Sequence, residues 1–175
     1  MSASNDQMRL ILGIDPGSVV TGYGIIESNG IRSSHVASGT IRVAGEDFPR
    51  RLGDIFTRIG EVVERYRPVE MAIEQVFVNK NVQSALKLGQ ARGAAICACV
   101  VAGLPVAEYT PRMIKQAVVG HGNAGKEQVQ QMVRHLLKLE HQLAADESDA
   151  LAVALGHAHT RSTLQALQRS GGRRR

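Results

Sequence analysis

Tryptophan is absent, cysteine occurs twice, and three Phe and three Tyr are the whole aromatic content of 175 residues. The core must therefore be aliphatic, and any ring that stacks on a nucleobase has to be one of those few side chains. Cys97 and Cys99, set as C-x-C in an apolar run, exclude a disulfide framework and cannot build a structural metal site unaided. They read as reduced, buried thiols of a cytosolic protein. No apolar run reaches the ~20 residues that a bilayer-spanning helix needs. The stretch 94–106 is broken by Gly103 and Pro105, and residues 1–8 are polar, unlike a secretory signal. The expectation is a cytoplasmic chain with no membrane partner.

Acid is scarce in one region. Between Gln75 and Lys126 stand six basic residues (Lys80, Lys87, Arg92, Arg112, Lys115 and Lys126) and one acid, Glu108. That stretch is a candidate surface for a polyanion. The net charge of +5 has a different origin, because residues 161–175 contain five Arg and no acid. The rest of the chain is balanced, and the pI of 9.6 is mainly a tail effect.

What is present suits a globular chain: 43% hydrophobic and 21% charged residues. The length favours one domain, expected over residues 1–160, followed by an Arg-rich tail, 161–175, expected to be disordered. Apolar runs at 8–14, 21–27 and 31–43 read as three strands. Their short links, including Ser28-Asn29-Gly30, imply an antiparallel meander. Residues 48–66 carry an apolar stripe at three- and four-residue steps, which is a helix closed by Pro68. A short strand at 71–74 follows, then a helix over 82–101, a strand at 106–109 and a short helix opened by Thr110-Pro111. Two further helices begin at Lys126 and Asp146. Gly89 and Gly93, four apart in the second helix, imply close approach of another backbone, in the core or across a dimer interface.

Four carboxylates sit at element ends beside apolar runs. Asp15 ends the first strand before Pro16-Gly17, which is either a turn residue or a charge held at the mouth of a sheet. Glu74 ends the fourth strand in the same way, as a solvated strand end or as part of a constellation. Asp146 and Asp149 open the last helix three residues apart, as ordinary dipole partners or as ligands projecting from one face. An all-oxygen set of this kind selects Mg²⁺ or Mn²⁺ over zinc. Two ions about 3.5–4 Å apart could clamp the attacking and leaving oxygens of a phosphodiester, with no histidine needed as base. The six histidines form no convincing ligand set, and His157 and His159 point to different faces of a helix. Phe77 is a loop anchor or a stacking platform. The start of the helix at Lys126 is a phosphate seat or a plain loop.

Gly13-Ile14-Asp15-Pro16-Gly17-Ser18 with Thr21-Gly22-Tyr23-Gly24 resembles the opening motif of the RuvC family of bacterial Holliday-junction resolvases. Ala72-Ile73-Glu74-Gln75-Val76-Phe77 is similar to that family's second acidic motif, and Asp146-Glu147-Ser148-Asp149-Ala150-Leu151-Ala152 to its last. Thr110-Pro111 through Lys115-Gln116, and 120–126, resemble its DNA-contacting segment. The resemblance runs from about Arg9 to His159. It implies an α/β, ribonuclease-H-like fold: a five-stranded mixed sheet, three strands in an antiparallel meander and two parallel, flanked by helices. It also implies a homodimer and Mg²⁺-dependent symmetric nicking of four-way junction DNA, leaving 5′-phosphate and 3′-hydroxyl ends. The implied partners are the RuvA–RuvB branch-migration proteins, and the implied cleavage sequence is thymine-rich. On this basis Asp15, Glu74, Asp146 and Asp149 are the metal ligands, with two ions per subunit. Phe77, Lys115 and Lys126 contact DNA, and Lys80, Lys87, Arg92 and Arg112 join them as basic candidates. Two other readings compete. A binding-only module should not retain four anions where phosphate must sit, and a sugar kinase with a related motif needs a second large domain.

Overall fold

Three strands follow one another through short turns and pair antiparallel: β1 (Arg9–Asp15), β2 (Val20–Ser28) and β3 (Ser33–Arg42). The structure, a computed structural model, describes residues 7–77 and 81–171. After β3 come α1 (Phe48–Tyr66), β4 (Glu70–Glu74), α2 (Val82–Val101) and β5 (Val106–Tyr109). Helices α3 (Pro111–Val119), α4 (Lys126–Leu137) and α5 (Ala145–Gly171) complete the chain. The crossovers through α1 and α2 return β4 and β5 parallel, so the sheet order is β3-β2-β1-β4-β5. The expected mixed sheet of three antiparallel and two parallel strands is the observed one.

Strand alternation sorts the core into two layers. Leu12, Ile14, Ile25, Met71 and Ile73 face α1 and α2, where Ile55, Ile59, Ala91 and Ala95 are fully buried. Ile11, Ile26 and Ala72 face the other way, against Val129, Val133, Leu151, Leu155 and Ala158 of α4 and α5. The central strand β1 is covered on both sides, which explains its unbroken apolar run.

Local signals end the elements as expected. Thr110 caps α3, its hydroxyl accepting from the Met113 N–H at 3.2 Å, with Pro111 at the first helical position. Gly120 closes α3 at a φ of 98°, a conformation that favours glycine.

Two expectations change. Cys97, expected to be buried, is exposed on α2, while Cys99 is buried. Residues 161–171 are helical, because α5 continues without a break to Gly171. Arg161, the first residue of the segment expected to be disordered, is held by the Glu70 carboxylate of β4. Residues 172–175 lie outside the described residues. Of the two alternatives for Gly89 and Gly93 the core one falls, since no described residue stands within 4 Å of where a side chain would begin at either.

Candidate active site and nucleic-acid interface

Asp15 and Glu74 reach the same edge of the sheet because β1 and β4 run parallel. Ile14 pairs with Ile73, so the next residue along each strand is one of the acids. Residues 11, 13 and 15 of β1 and 72 and 74 of β4 share the face that α5 covers. Glycine makes that cover close. A Cβ on Gly13 would collide with the Ala150 carbonyl and Ala154, one on Gly22 with the Asp146 carbonyl, and one on Gly24 with Leu151. With no side chains there, α5 lies directly on β1 and β2 and its first turns deliver Asp146 and Asp149 to the end of β1.

Electrostatics record the convergence. The Asp15 carboxyl is pushed up to about 7, first by burial, then by the negative charges of Asp149, Glu74 and Asp146, with Lys126 opposing. Glu74 is raised by burial and then by Asp149, against Lys115 and Lys126. Lys126 is raised in turn, chiefly by its hydrogen bond to Asp149, with Nζ and Oδ2 3.0 Å apart. Glu74, Asp149, Lys115 and Lys126 line one groove of about 240 Å³, floored by Pro111, Ile114, Val129 and Ala152. The α4 N-terminus opens into it at Lys126.

Four carboxylates stand against two ammonium groups at this sheet edge, and their mutual repulsion adds to burial, the larger cause, in raising the Asp15 carboxyl. Oxygen-only donors on strand and helix ends fit a hard divalent cation. Among the described residues no three His, Cys, Asp or Glu side chains are gathered tightly enough to hold a metal as they stand. Asp149 is turned to Lys126, 3.0 Å away.

The basic candidates divide. Lys115 and Lys126 belong to the acidic groove. Phe77 is 62% exposed just beyond β4 and lines a second groove with Val76, Val82, Leu86 and Arg92. Arg92, predicted to meet DNA, is turned inward. Its Nε donates to the Glu74 carbonyl at 2.9 Å and its Nη2 bonds Glu108, so it steadies the strand end that carries Glu74. Lys87 lies over the Phe48 ring of α1, 5.7 Å from its centre, away from the acids. Arg112 runs along Gly122, in the loop before α4, and lines a separate pocket with Gln116 and Thr163. Lys80 lies outside the described residues.

Sequence reasoning passed over two polar clusters. Glu147 turns away from its acidic neighbours: it accepts from Ser38 Oγ at 2.7 Å and from the Ala144 N–H at 3.2 Å, and His35 Nε2 meets the same Ser38 oxygen at 2.8 Å. Burial is the main cause that lowers the His35 pKa. At the far end of β4, Glu70 meets His157 and Arg161. Period two had put Glu70 on the same face as Glu74, a signal available in the sequence. The expectation that His157 and His159 diverge holds, since His159 Nδ1 bonds the Ala117 carbonyl at 2.8 Å instead.

Residues 11–157 match the family model of the crossover junction endodeoxyribonuclease RuvC. The chain belongs to the RuvC family. The RuvC of Alkalilimnicola ehrlichii is 57% identical over 164 residues, 94% of this chain and 99% of that one. The RuvC of Shewanella sp. strain MR-4 is 57% identical over 160 residues, covering 91% and 92% of the two chains. Among solved structures, T. thermophilus RuvC in complex with a Holliday junction substrate superposes with a TM-score of 0.83 at 36% identity, covering 87% of this chain and 94% of that one. The yeast mitochondrial Holliday junction resolvase shares the fold alone, with a TM-score of 0.63 at 13% identity over 89% of this chain and 82% of that one. The ribonuclease-H-like architecture expected from the RuvC resemblance is thereby borne out. Among the described residues no helix is long and apolar enough to cross a membrane.

Proposed function

We propose that this RuvC-family chain resolves four-way DNA junctions by paired, symmetric phosphodiester hydrolysis, with Mg²⁺ held by Asp15, Glu74, Asp146 and Asp149. What carries the reading is the meeting of acids from β1, β4 and α5 at one sheet edge beside Lys115 and Lys126. Two ions per subunit are proposed, with Mn²⁺ able to replace Mg²⁺. Bound there, the metal supplies a water of lowered pKa and a Lewis acid for the phosphoryl oxygen.

The chain's own residues do the rest. The four carboxylates fix the donor positions on rigid elements, and Arg92 holds the Glu74 backbone in place. Lys126 neutralises Asp149 until a phosphate arrives; its ammonium is then free to turn to a non-bridging oxygen. Lys115 stands on the same wall. Lys126, the first residue of α4, lines the groove, so the positive end of that helix dipole favours an anion there. Phe77, exposed on the rim, offers a face for an unstacked base. The ends left are 5′-phosphate and 3′-hydroxyl.

The dimer reading is supported by α2. Val82, Leu86 and Val100 are 61%, 65% and 55% exposed, on the side where Gly89 and Gly93 leave room for a second backbone. Two copies joined there give two sites for two strands. The setting proposed is recombination and repair in the cytoplasm, with RuvA–RuvB as junction partners and a thymine-rich cleavage preference.

The test is a synthetic four-way junction with purified protein in Mg²⁺. Wild type should nick two strands at symmetric positions. Asp15→Asn and Glu74→Gln should each lose nicking by about a thousandfold, ~4 kcal/mol of barrier, while retaining junction binding. Chelation with EDTA should stop wild type in the same way. Binding without nicking by the wild type in Mg²⁺ or Mn²⁺ would leave only a recognition module.

A further inference from the structure

Glu70 and Glu74 bracket β4 and project to the same face, with Ala72 between them packed under α5. At one end Glu74 faces Asp149, like charge against like. At the other end Glu70 faces His157 and Arg161. His157 Nε2 lies 3.0 Å from Glu70 Oε2, and Arg161 Nη1 donates to Oε1 at 2.9 Å. Both carboxylate oxygens are thus engaged, and Glu70 and His157 are only 9% and 7% exposed. The second ring nitrogen, Nδ1, is 2.8 Å from the Tyr109 hydroxyl. With Tyr109 donating to Nδ1 and Nε2–H donating to Glu70, every polar atom of the imidazole is satisfied. Tyr109 in turn is the β5 residue paired with Glu74, and its carbonyl accepts from the Gln75 N–H at 2.8 Å.

The spacing of the two rungs matches. Four residues of strand, from Glu70 to Glu74, cover about 13 Å. Eight residues of helix, from Asp149 to His157, cover about 12 Å. Strand and helix therefore run antiparallel, in register at both ends, with repulsion at one rung and hydrogen-bonded opposite charge at the other. Repulsion between carboxylates favours sliding or lifting α5 off the sheet edge. The far rung resists, because breaking it would strand a buried charge.

We propose that Glu70, His157, Tyr109 and Arg161 form a clamp that sets the register of α5 on β4, and through it the position of Asp149 relative to Glu74. None of the four touches the reacting atoms; they are positioning residues. The inference rests on the metal reading of the acidic groove, and its test separates the two.

The experiment compares full-length wild type with His157→Ala, Glu70→Gln and Tyr109→Phe, the last removing a single hydroxyl in case the others fold poorly. Ile59→Val, in the opposite core layer, is the control for general loosening. Mn²⁺ binding is read without DNA from the spin resonance of the free ion, and junction nicking is resolved into kcat and KM. His157→Ala and Glu70→Gln should weaken Mn²⁺ binding by about tenfold, as removal of groups behind metal ligands does, and Tyr109→Phe by about threefold. kcat should fall with the affinity while KM for the junction stays within about twofold of wild type. Ile59→Val should match wild type in both. Wild-type Mn²⁺ affinity in His157→Ala or Tyr109→Phe overturns the clamp, as does an equal loss in Ile59→Val. A wild-type chain that binds no Mn²⁺ overturns the metal reading itself, and the clamp's purpose with it.

Discussion

Asp15 keeps its proton far above the ordinary carboxylate range because burial removes water from it and three other acids lie near. Its carboxyl at about 7 has a consequence for stability in metal-free protein. From about pH 4 to about pH 7 the folded chain holds a proton that the unfolded chain has released, so unfolding gives up a proton. Stability therefore falls as pH rises through that window, the reverse of a salt-bridged carboxylate. Asp15→Asn removes the group that must be ionised. In EDTA at pH 8 its melting temperature should exceed that of wild type by several degrees, at ~2–4 °C per kcal/mol for a chain of this size. At pH 4 the two should melt together. Thermal denaturation at the two pH values checks this, and equal melting at both would mean that Asp15 carries no such strain. Adding Mg²⁺ at pH 8 should stabilise wild type and leave Asp15→Asn nearly unmoved.

The element that assembles the site is α5, and its fit depends on strand residues with no side chain. Gly13 lies beneath Ala150 and Ala154, and Gly22 beneath the Asp146 carbonyl. Gly13→Ala forces α5 outward by the width of a methyl group, an overpacking that costs ~1–3 kcal/mol. The expected result is a lower melting temperature together with a disproportionate loss of nicking, because Asp146 and Asp149 move with the helix. Gly60→Ala, at an open position within α1, is the matched control and should be neutral or slightly stabilising. Periodicity announced strands and helices almost to the residue, and the acids at element ends announced the site. The function of Gly22 and Gly24 was not legible, because it belongs to a helix more than a hundred residues later. Nor was the inward turn of Arg92: composition marks a cation but not the carbonyl it finds. Arg161 was misread for the same reason. Its partner, Glu70, is 91 positions away, and a cluster of arginines looks unstructured until that carboxylate is in view.

At the scale of the whole molecule, one chain offers one acidic groove, while a four-way junction presents two strands of like polarity to be cut. The dimer proposed above would join through the outer side of α2. Val82, Leu86, Gly89, Gly93, Cys97 and Val100 recur at three- and four-residue steps, and each is exposed or open to solvent. Apolar side chains at the ends and glycines in the middle allow two such helices to cross closely. The groove lined by Phe77 and Leu86 adjoins the N-terminal end of this stripe. Leu86→Glu puts a charge into that contact. Sedimentation equilibrium should show wild type as a dimer at micromolar concentration and Leu86→Glu as a monomer, a weakening of at least about a hundredfold, or ~3 kcal/mol. On a supercoiled plasmid that extrudes a cruciform, wild type should yield mostly linear product, because both nicks fall within the lifetime of one complex. Leu86→Glu should yield nicked circles instead. Linear product at the wild-type fraction from a proven monomer would show that α2 is not the joining surface.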